Sequence, residues 1–491
     1  MKSTVKRVDL YENNILIQRG TLDNGLENVA RYLDLEPGKS VFLHSTVVND
    51  DVIGRKLFYK PSFAHSQILS ILPRETSFPK GVCLYVNKNL RNYLSDVGLA
   101  PKDNYYYIDK YPSKETYPYF SVSGYFKEHL NYLTNKELKS LKNSTIVSSF
   151  ISKDDEFTAE FLDGQLIMDL KNQMKFNSKY YLRKLSENYD FSIPSGVAFK
   201  GLNSLEYSFK RLRSILNESG CNIENSKIWC KFQSQTSGNG SYCFTGLSLE
   251  SLESTREHIV EFCKKINIKE KDMKNKVPLI LEIDVNSIPN EIQVANIGVE
   301  AVVSSKSVTL VGCVSQRSKN GKYIGSIIDN QTKNYTRFAE EAAIPFLSAI
   351  QKEGYRGFMT IDVLLTKSLK SGLIKGYNID PNARFTAGTP LLSLIQYSEK
   401  MSEGELFGFS YSNAIKDSSN LFDRVKYYCG DDLYLGKKSD YEGIIPIILN
   451  DVNYFEDNKR YLRTVVISKS ISKAETIYSG FKKRILKDLE N

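Results

Sequence analysis

Short apolar runs alternate with helix-like spacing up to about residue 150 of the chain, the pattern of an open α/β layer. Val41-Phe42-Leu43, the run 82–86 and the run 144–150 each read as a buried strand. From 157 to 192 the apolar positions Phe161, Leu162, Ile167, Leu170, Tyr181, Leu182 and Leu185 recur at helical intervals. Ile193-Pro194-Ser195-Gly196 ends that pattern. A second helix is expected over 205–219, with Leu205, Phe209, Leu212 and Leu216 on one side. Then follow a strand over 227–232, a Ser/Gly/Asn loop, a strand over 242–244, a helix over 249–266 and a charged linker over 269–276.

Beyond 277 the pattern turns strand-rich. Strands are expected over 278–283, 292–303 and 307–316, with Lys319-Asn320-Gly321-Lys322 as a hairpin turn. A helix over 335–353 leads through Gly354-Tyr355-Arg356-Gly357 to the strand 360–365. Residues 370–372 read as the tip between that strand and a second one carrying Asp380. The last stretch shows one strand pair, 444–449 with 462–467, and a basic amphipathic helix over 472–489. The order of elements implies a multidomain chain of mixed α/β and α+β class.

Composition narrows the function classes. Of 491 residues, 41% are hydrophobic and 25% charged, the balance of a soluble globular protein. No stretch of eighteen apolar residues and no signal-peptide pattern is visible, so a cytoplasmic location without a membrane partner is expected. The seven cysteines are scattered without a Cys-x-x-Cys, and the four histidines lie far apart. This argues against a disulfide framework, a structural zinc and histidine-based hydrolysis. A net charge of +9 is mild at this length; it suits an anionic ligand and does not call for nucleic acid. Gly38-Lys39-Ser40 mimics the end of a Walker A loop, but Leu33 stands where its first glycine must be.

The chemistry concentrates in Asn378-Ile379-Asp380-Pro381-Asn382-Ala383-Arg384-Phe385-Thr386-Ala387-Gly388 and in the strand holding Asp362. Asp362, Asp380 and Asn382 offer hard oxygen ligands of the type magnesium takes. Asp380 and Asn382 are two apart, so an extended segment sends both side chains to one face. Arg384 continues that face and can grip a phosphate or carboxylate. Upstream, the loop Ser237-Gly238-Asn239-Gly240-Ser241 can turn backbone N–H groups toward an anion. Lys231 lies one strand before it and Lys179, in Asn177-Ser178-Lys179, before a helix, two cations able to converge on a triphosphate. Glu282 and Glu291 sit at strand ends, where an acid can orient amino or hydroxyl groups.

Taken in order, these residues resemble the ATP-grasp family of carboxylate–amine and carboxylate–thiol ligases, over about residues 170 to 395. The resemblance extends to the peptide-ligase branch, which has an N-terminal α/β domain and an appended C-terminal module. It implies an N-terminal domain over 1–155, an ATP-grasp lobe over 156–275 with the phosphate loop, a second lobe over 276–398 with the metal site, and a C-terminal module over 399–491. It implies ATP and magnesium as cofactors, with two ions and manganese as an alternative. Lys179, Lys231 and Ser237 to Ser241 would hold the phosphates, and Lys231 and Arg384 would act in catalysis. Glu282, with Ile283 and Asp284, would meet the adenine and Glu291 the ribose. Asp362, Asp380 and Asn382 would hold the metal. The implied reaction joins a small carboxylate to an amine, an amino acid or peptide derivative, through an acyl phosphate. The chain departs from the family in having Asp380 where glutamate is usual and in a longer gap between Asp362 and Asp380. Two other readings remain: a nucleotide-binding protein of the same fold without ligase activity, and a basic scaffold or nucleic-acid-binding protein. A homodimer is the generic expectation for a soluble enzyme.

Overall fold

In the computed structural model the described residues are 10–12, 15–36, 39–43, 48–50, 55–57, 80–84, 88–99, 105–108, 134–148, 153–233, 241–249, 251–265, 268, 270–319, 322–416, 420–436, 441–449 and 459–490. Among them the chain forms three larger sheets and a two-stranded ribbon, with helices between, a mixed α/β multidomain fold. The first sheet is parallel, in the order Tyr105–Ile108, Lys80–Leu84, Ser40–Leu43, Thr145–Ser148, Gln165–Leu166. Its centre is apolar, as a parallel sheet requires, with Val41, Phe42, Ile146 and Val147 buried.

The second sheet is antiparallel, in the order Gly196–Lys200, Pro278–Ile283, Lys227–Phe232, Ser241–Thr245. The helices Leu205–Glu218 and Leu252–Lys265 line one face. Phe209, Leu212, Leu216, Ile259 and Phe262 share a core there with Ile228, Cys230, Leu279 and Leu281. The alternation along Lys227–Phe232 follows: Ile228, Cys230 and Phe232 are buried, while Trp229 and Lys231 on the opposite face are half-buried. The strand Pro278–Ile283 lies inside this sheet, one strand beyond the division expected at 275/276.

The third sheet holds ten strands. Eight run in the order Ile374–Asn382, Gly357–Ser368, Glu291–Val303, Ser307–Lys319, Lys322–Ile328, Phe407–Lys416, Lys459–Ser468, Gly443–Leu449. Ile15–Arg19 joins in parallel against Ser307 to Leu310, and Leu10–Glu12 pairs with Ile15–Arg19. The strands after 399 therefore extend this sheet and share its core. The helix Asn330–Lys352 starts on a capping box made by Asp329 and Thr332. It buries Ala339, Ala343, Phe346, Leu347 and Ile350 against Ile297, Val299, Ile361 and Val363. Odd-numbered positions of Gly357–Ser368 thus face the helix, and Asp362 with Thr366 face the other way.

Three expectations change. The helical pattern over 157–192 divides into Lys153–Phe161, Leu170–Phe176 and Lys179–Leu185, with the short strand Gln165–Leu166 between the first two. Side-chain caps cause the divisions: Asp169 accepts from Asn172 N and Ser178 from Tyr181 N, each opening a new helix. The charged linker contains a helix, Glu270–Asn275. The helices Thr389–Ser402 and Leu421–Cys429 and the strand Phe407–Lys416 were not anticipated. At the hairpin Lys319 pairs with Lys322, while Asn320 and Gly321 lie outside the described residues. No helix among the described residues is long and apolar enough to cross a membrane.

Candidate active site

Asp362 and Asp380 stand directly opposite each other on neighbouring antiparallel strands. Residues so paired have Cβ atoms about 4.5–5.5 Å apart, and two like charges there destabilise the sheet. Asp362 is buried and its Oδ1 has no hydrogen-bond partner. Burial first, then the charge of Asp380, raises its proton affinity above the usual carboxylate value; a hydrogen bond from Gln316 and the charges of Lys179 and Arg384 oppose them. Lys179 Nζ lies 2.6 Å from Asp380 Oδ1. A β-bulge follows Asp362 on this strand pair, the kind of irregularity that re-aims side chains beside a site.

Lys179 joins two sheets. Its side chain reaches Asp380 of the large sheet, while its backbone N–H donates to Gln233 O at 3.0 Å, just past a strand of the small sheet. One helical turn on, Arg183 Nη2 meets Glu282 Oε1 at 2.8 Å and Pro194 O at 2.7 Å, and Nη1 donates to Gly196 O at 3.2 Å. Lys231 Nζ forms an ion pair with the other Glu282 oxygen. Burial disfavours the Glu282 charge, but Lys231 and Arg183 outweigh it and hold the carboxyl below its ordinary value. Glu282 is thus a buried carboxylate shared by two cations. The N–H groups of Ile283 and Asp284 donate to Ser195 O and Lys227 O, at 2.9 and 2.8 Å.

On the large sheet Glu291 accepts from Thr366 Oγ1 at 2.9 Å and from Tyr377 OH at 3.2 Å. Thr366 and Asp362 share a strand face four residues apart, ~13 Å at about 3.3 Å per residue. The structure therefore sets an acid and a hydroxyl at one end of that face and the carboxylate pair at the other. Asn382 is buried, and its Oδ1 accepts from Arg384 Nη2 at 2.6 Å. Arg384 Nη1 also donates to Asn177 Oδ1, which accepts from Ala383 N at 3.1 Å as well. Asn382 can offer that oxygen to a metal once Arg384 turns away. Ser237, Gly238, Asn239 and Gly240 lie outside the described residues; Ser241 opens the strand that pairs with Lys231.

Among the described residues no three His, Cys, Asp or Glu side chains converge as a metal cage. Magnesium does not need one, since it binds through one or two carboxylates together with substrate phosphates and water. The orphaned Oδ1 of Asp362, the residue paired with Asp380, fits that demand.

Arg183 and Glu300 were missed from the sequence. Arg183 had a signal, standing four residues after Lys179 on one helix. Glu300 had the signal that Asp362 has, an acid within an apolar run, Val299-Glu300-Ala301-Val302-Val303. It is fully buried; Thr386 and Thr389 donate to its Oε1 at 3.2 and 3.1 Å, and Oε2 has no partner. Burial pushes its carboxyl up to about 8 against those hydrogen bonds, with the nearby Asp362 adding to the rise.

No protein-family model matches this chain, and no curated protein does. Solved structures do. Phosphoribosylamine–glycine ligase from Thermotoga maritima matches at a TM-score of 0.51 and 13% identity, covering 91% of this chain and 96% of its own. Carboxyaminoimidazole ribonucleotide synthase from Aspergillus clavatus, a complex with ATP, matches at 0.49 and 9%, covering 92% and 99%. Biotin carboxylase from Campylobacter jejuni matches at 0.49 and 13%, covering 90% of each chain. The match to the Thermotoga ligase runs through nearly the whole of both chains, and by it this chain has the ATP-grasp fold.

Proposed function

We propose that the chain is an ATP-dependent ligase that joins a small carboxylate to an amine, an amino acid or peptide derivative. The observation that carries this reading is the opposed pair of buried Asp362 and half-buried Asp380, bridged to the small sheet by Lys179. Such a pair is unfavourable alone and becomes favourable beside a divalent cation that arrives with a polyphosphate. The fold shared with the Thermotoga ligase supports it.

In this reading Lys179 and Lys231 face the phosphates from the small-sheet side, and Glu291 binds the ribose hydroxyls. Asp362 and Asp380 hold magnesium, joined by Asn382 when Arg384 releases its amide oxygen. Magnesium, when bound, neutralises phosphate oxygens and orients them. A substrate carboxylate oxygen takes the terminal phosphoryl group, breaking its bond to ADP. The amine nitrogen then attacks the acyl carbon, phosphate leaves, and the amine loses a proton. Arg384 turns toward the transferring group, where a planar guanidinium matches its oxygens. Positioning and charge neutralisation carry such transfers, so no cysteine or histidine nucleophile is called for.

The test is ADP release with magnesium and ATP over a panel of amino acids and short peptides as acid and amine, with mass detection of the joined product. Release that requires both partners, and is lost in Asp362→Ala, is the expected result. ATP binding without ADP release under any pair would move the chain to the nucleotide-binding reading.

A further inference from the structure

Trp229 is the one tryptophan of the chain. It stands directly opposite Glu282 in the small sheet and two residues before Lys231, so all three side chains leave the same face. Its indole Nε1 donates to Asp284 Oδ2 at 2.9 Å. The other Asp284 oxygen accepts from Asn286 N and Nδ2 at 2.9 and 3.0 Å, and Asn286 Oδ1 accepts from Gln293 N at 2.9 Å. Four hydrogen bonds therefore fix the edge of the ring. They tie it to the turn where the small sheet passes into the large one and, through Gln293, to the strand that opens at Glu291.

A tryptophan usually spends its N–H on a partner and offers its faces for apolar contact. Here the N–H is satisfied and the ring is half-buried. Among the described residues no other ring stacks on it and no cation sits over it. Its neighbours suggest what covers it. Lys231 lies on one side along the strand, and the turn leading to Glu291 lies on the other.

We propose that Trp229 is the surface on which the base of the bound nucleotide stacks, with Asp284 holding the ring in place. The proposal rests on the ATP-binding reading above and adds a residue that selects for nucleotides over bare polyphosphates. Every base has a π-face, so the ring supplies affinity without choosing between adenine and guanine. It also makes the site self-reporting, because the only indole in the chain lies under the base.

The experiment uses the full chain, with tryptophan emission and calorimetry read side by side. The ligands are ATP, GTP and inorganic tripolyphosphate, and the proteins are the parent, Trp229→Phe and Trp229→Leu. Both nucleotides are expected to quench the parent's emission, and tripolyphosphate is not. ATP affinity should fall roughly 5- to 150-fold in Trp229→Leu and stay near the parent's in Trp229→Phe. Tripolyphosphate affinity should be equal in all three. ATP binding by calorimetry with unchanged emission, or equal ATP affinity in Trp229→Leu, overturns the stacking role and leaves the ATP reading standing. Failure of the parent to bind ATP overturns both. If Trp229→Leu loses tripolyphosphate as well, its fold is damaged, and the parent's emission with the two ligand types decides.

Discussion

Arg183 can be removed without touching the strand that carries its partner. Both Arg183 and Glu282 have side chains less than a tenth exposed, at 9% and 8%. Arg183→Met keeps the aliphatic stem but strips donors from Glu282 Oε1, Pro194 O and Gly196 O. Removing one member of a buried ion pair costs roughly 3–5 kcal/mol. Lys231 still faces the second Glu282 oxygen, which puts the expected loss at the lower end, about 3 kcal/mol. At an unfolding entropy of about 2.1 cal/mol/K per residue, a 491-residue chain shifts by roughly 1 °C per kcal/mol, so the midpoint of thermal unfolding should fall by about 3 °C. Pairing Arg183→Met with Glu282→Gln removes the stranded charge, so the double variant should lose less than the two single losses added together. The pH dependence has a definite sign. Glu282 is held below its ordinary value of 4.5, so its contribution is complete above that pH and drains away as pH falls through the lower folded value. A loss under about 0.5 kcal/mol in Arg183→Met, or strictly additive losses in the double variant, would refute the shared-carboxylate argument.

Two further outcomes follow from the other buried acids. Asp362→Asn removes a carboxyl that burial and Asp380 disfavour, so without ligands at neutral pH it should melt above the parent; the same variant should lose the magnesium-dependent stabilisation by ATP, roughly 2.7 kcal/mol at 100 times the dissociation constant. Glu300 keeps its proton in the folded chain up to about 8, against an ordinary 4.5, so the native state binds more protons between those values and its stability falls as pH rises across them. Glu300→Gln should flatten that slope in melting curves taken from about pH 5 to about pH 8, and an unchanged slope would assign it to other groups.

The sequence made the strands legible wherever one face of a sheet meets a helix. Lys227–Phe232 alternates visibly because only one of its faces is packed, and Asp362 stands out because it interrupts an apolar run. Division into sheets was harder to read. Pro278–Ile283 looks the same in sequence whether it opens a second lobe or completes the first, since all six residues are buried either way. The caps at Asp169 and Ser178 were visible residues, but the apolar spacing across them masked the breaks. In the site, the acids were found by residue type, whereas Arg183 and Glu300 take their importance from partners a hundred and some ninety residues away.

Those distant partners explain why the two lysines are not equivalent. Lys231 is paired within its own sheet, to a carboxylate that Arg183 also holds, so its position is set before any ligand arrives. Lys179 is paired across sheets, to an acid that itself faces another acid. In the proposed reading, a divalent cation held by Asp362 and Asp380 would compete with Lys179 for Asp380 Oδ1 and would free the lysine for phosphate. Arg384 stands in the same relation to Asn382. Two basic groups therefore hold the proposed metal ligands, Lys179 through Asp380 and Arg384 through Asn382. In that reading, exchanging those contacts for phosphate oxygens would couple metal binding to phosphate binding, because a bound cation would replace the positive charge that now faces these oxygens.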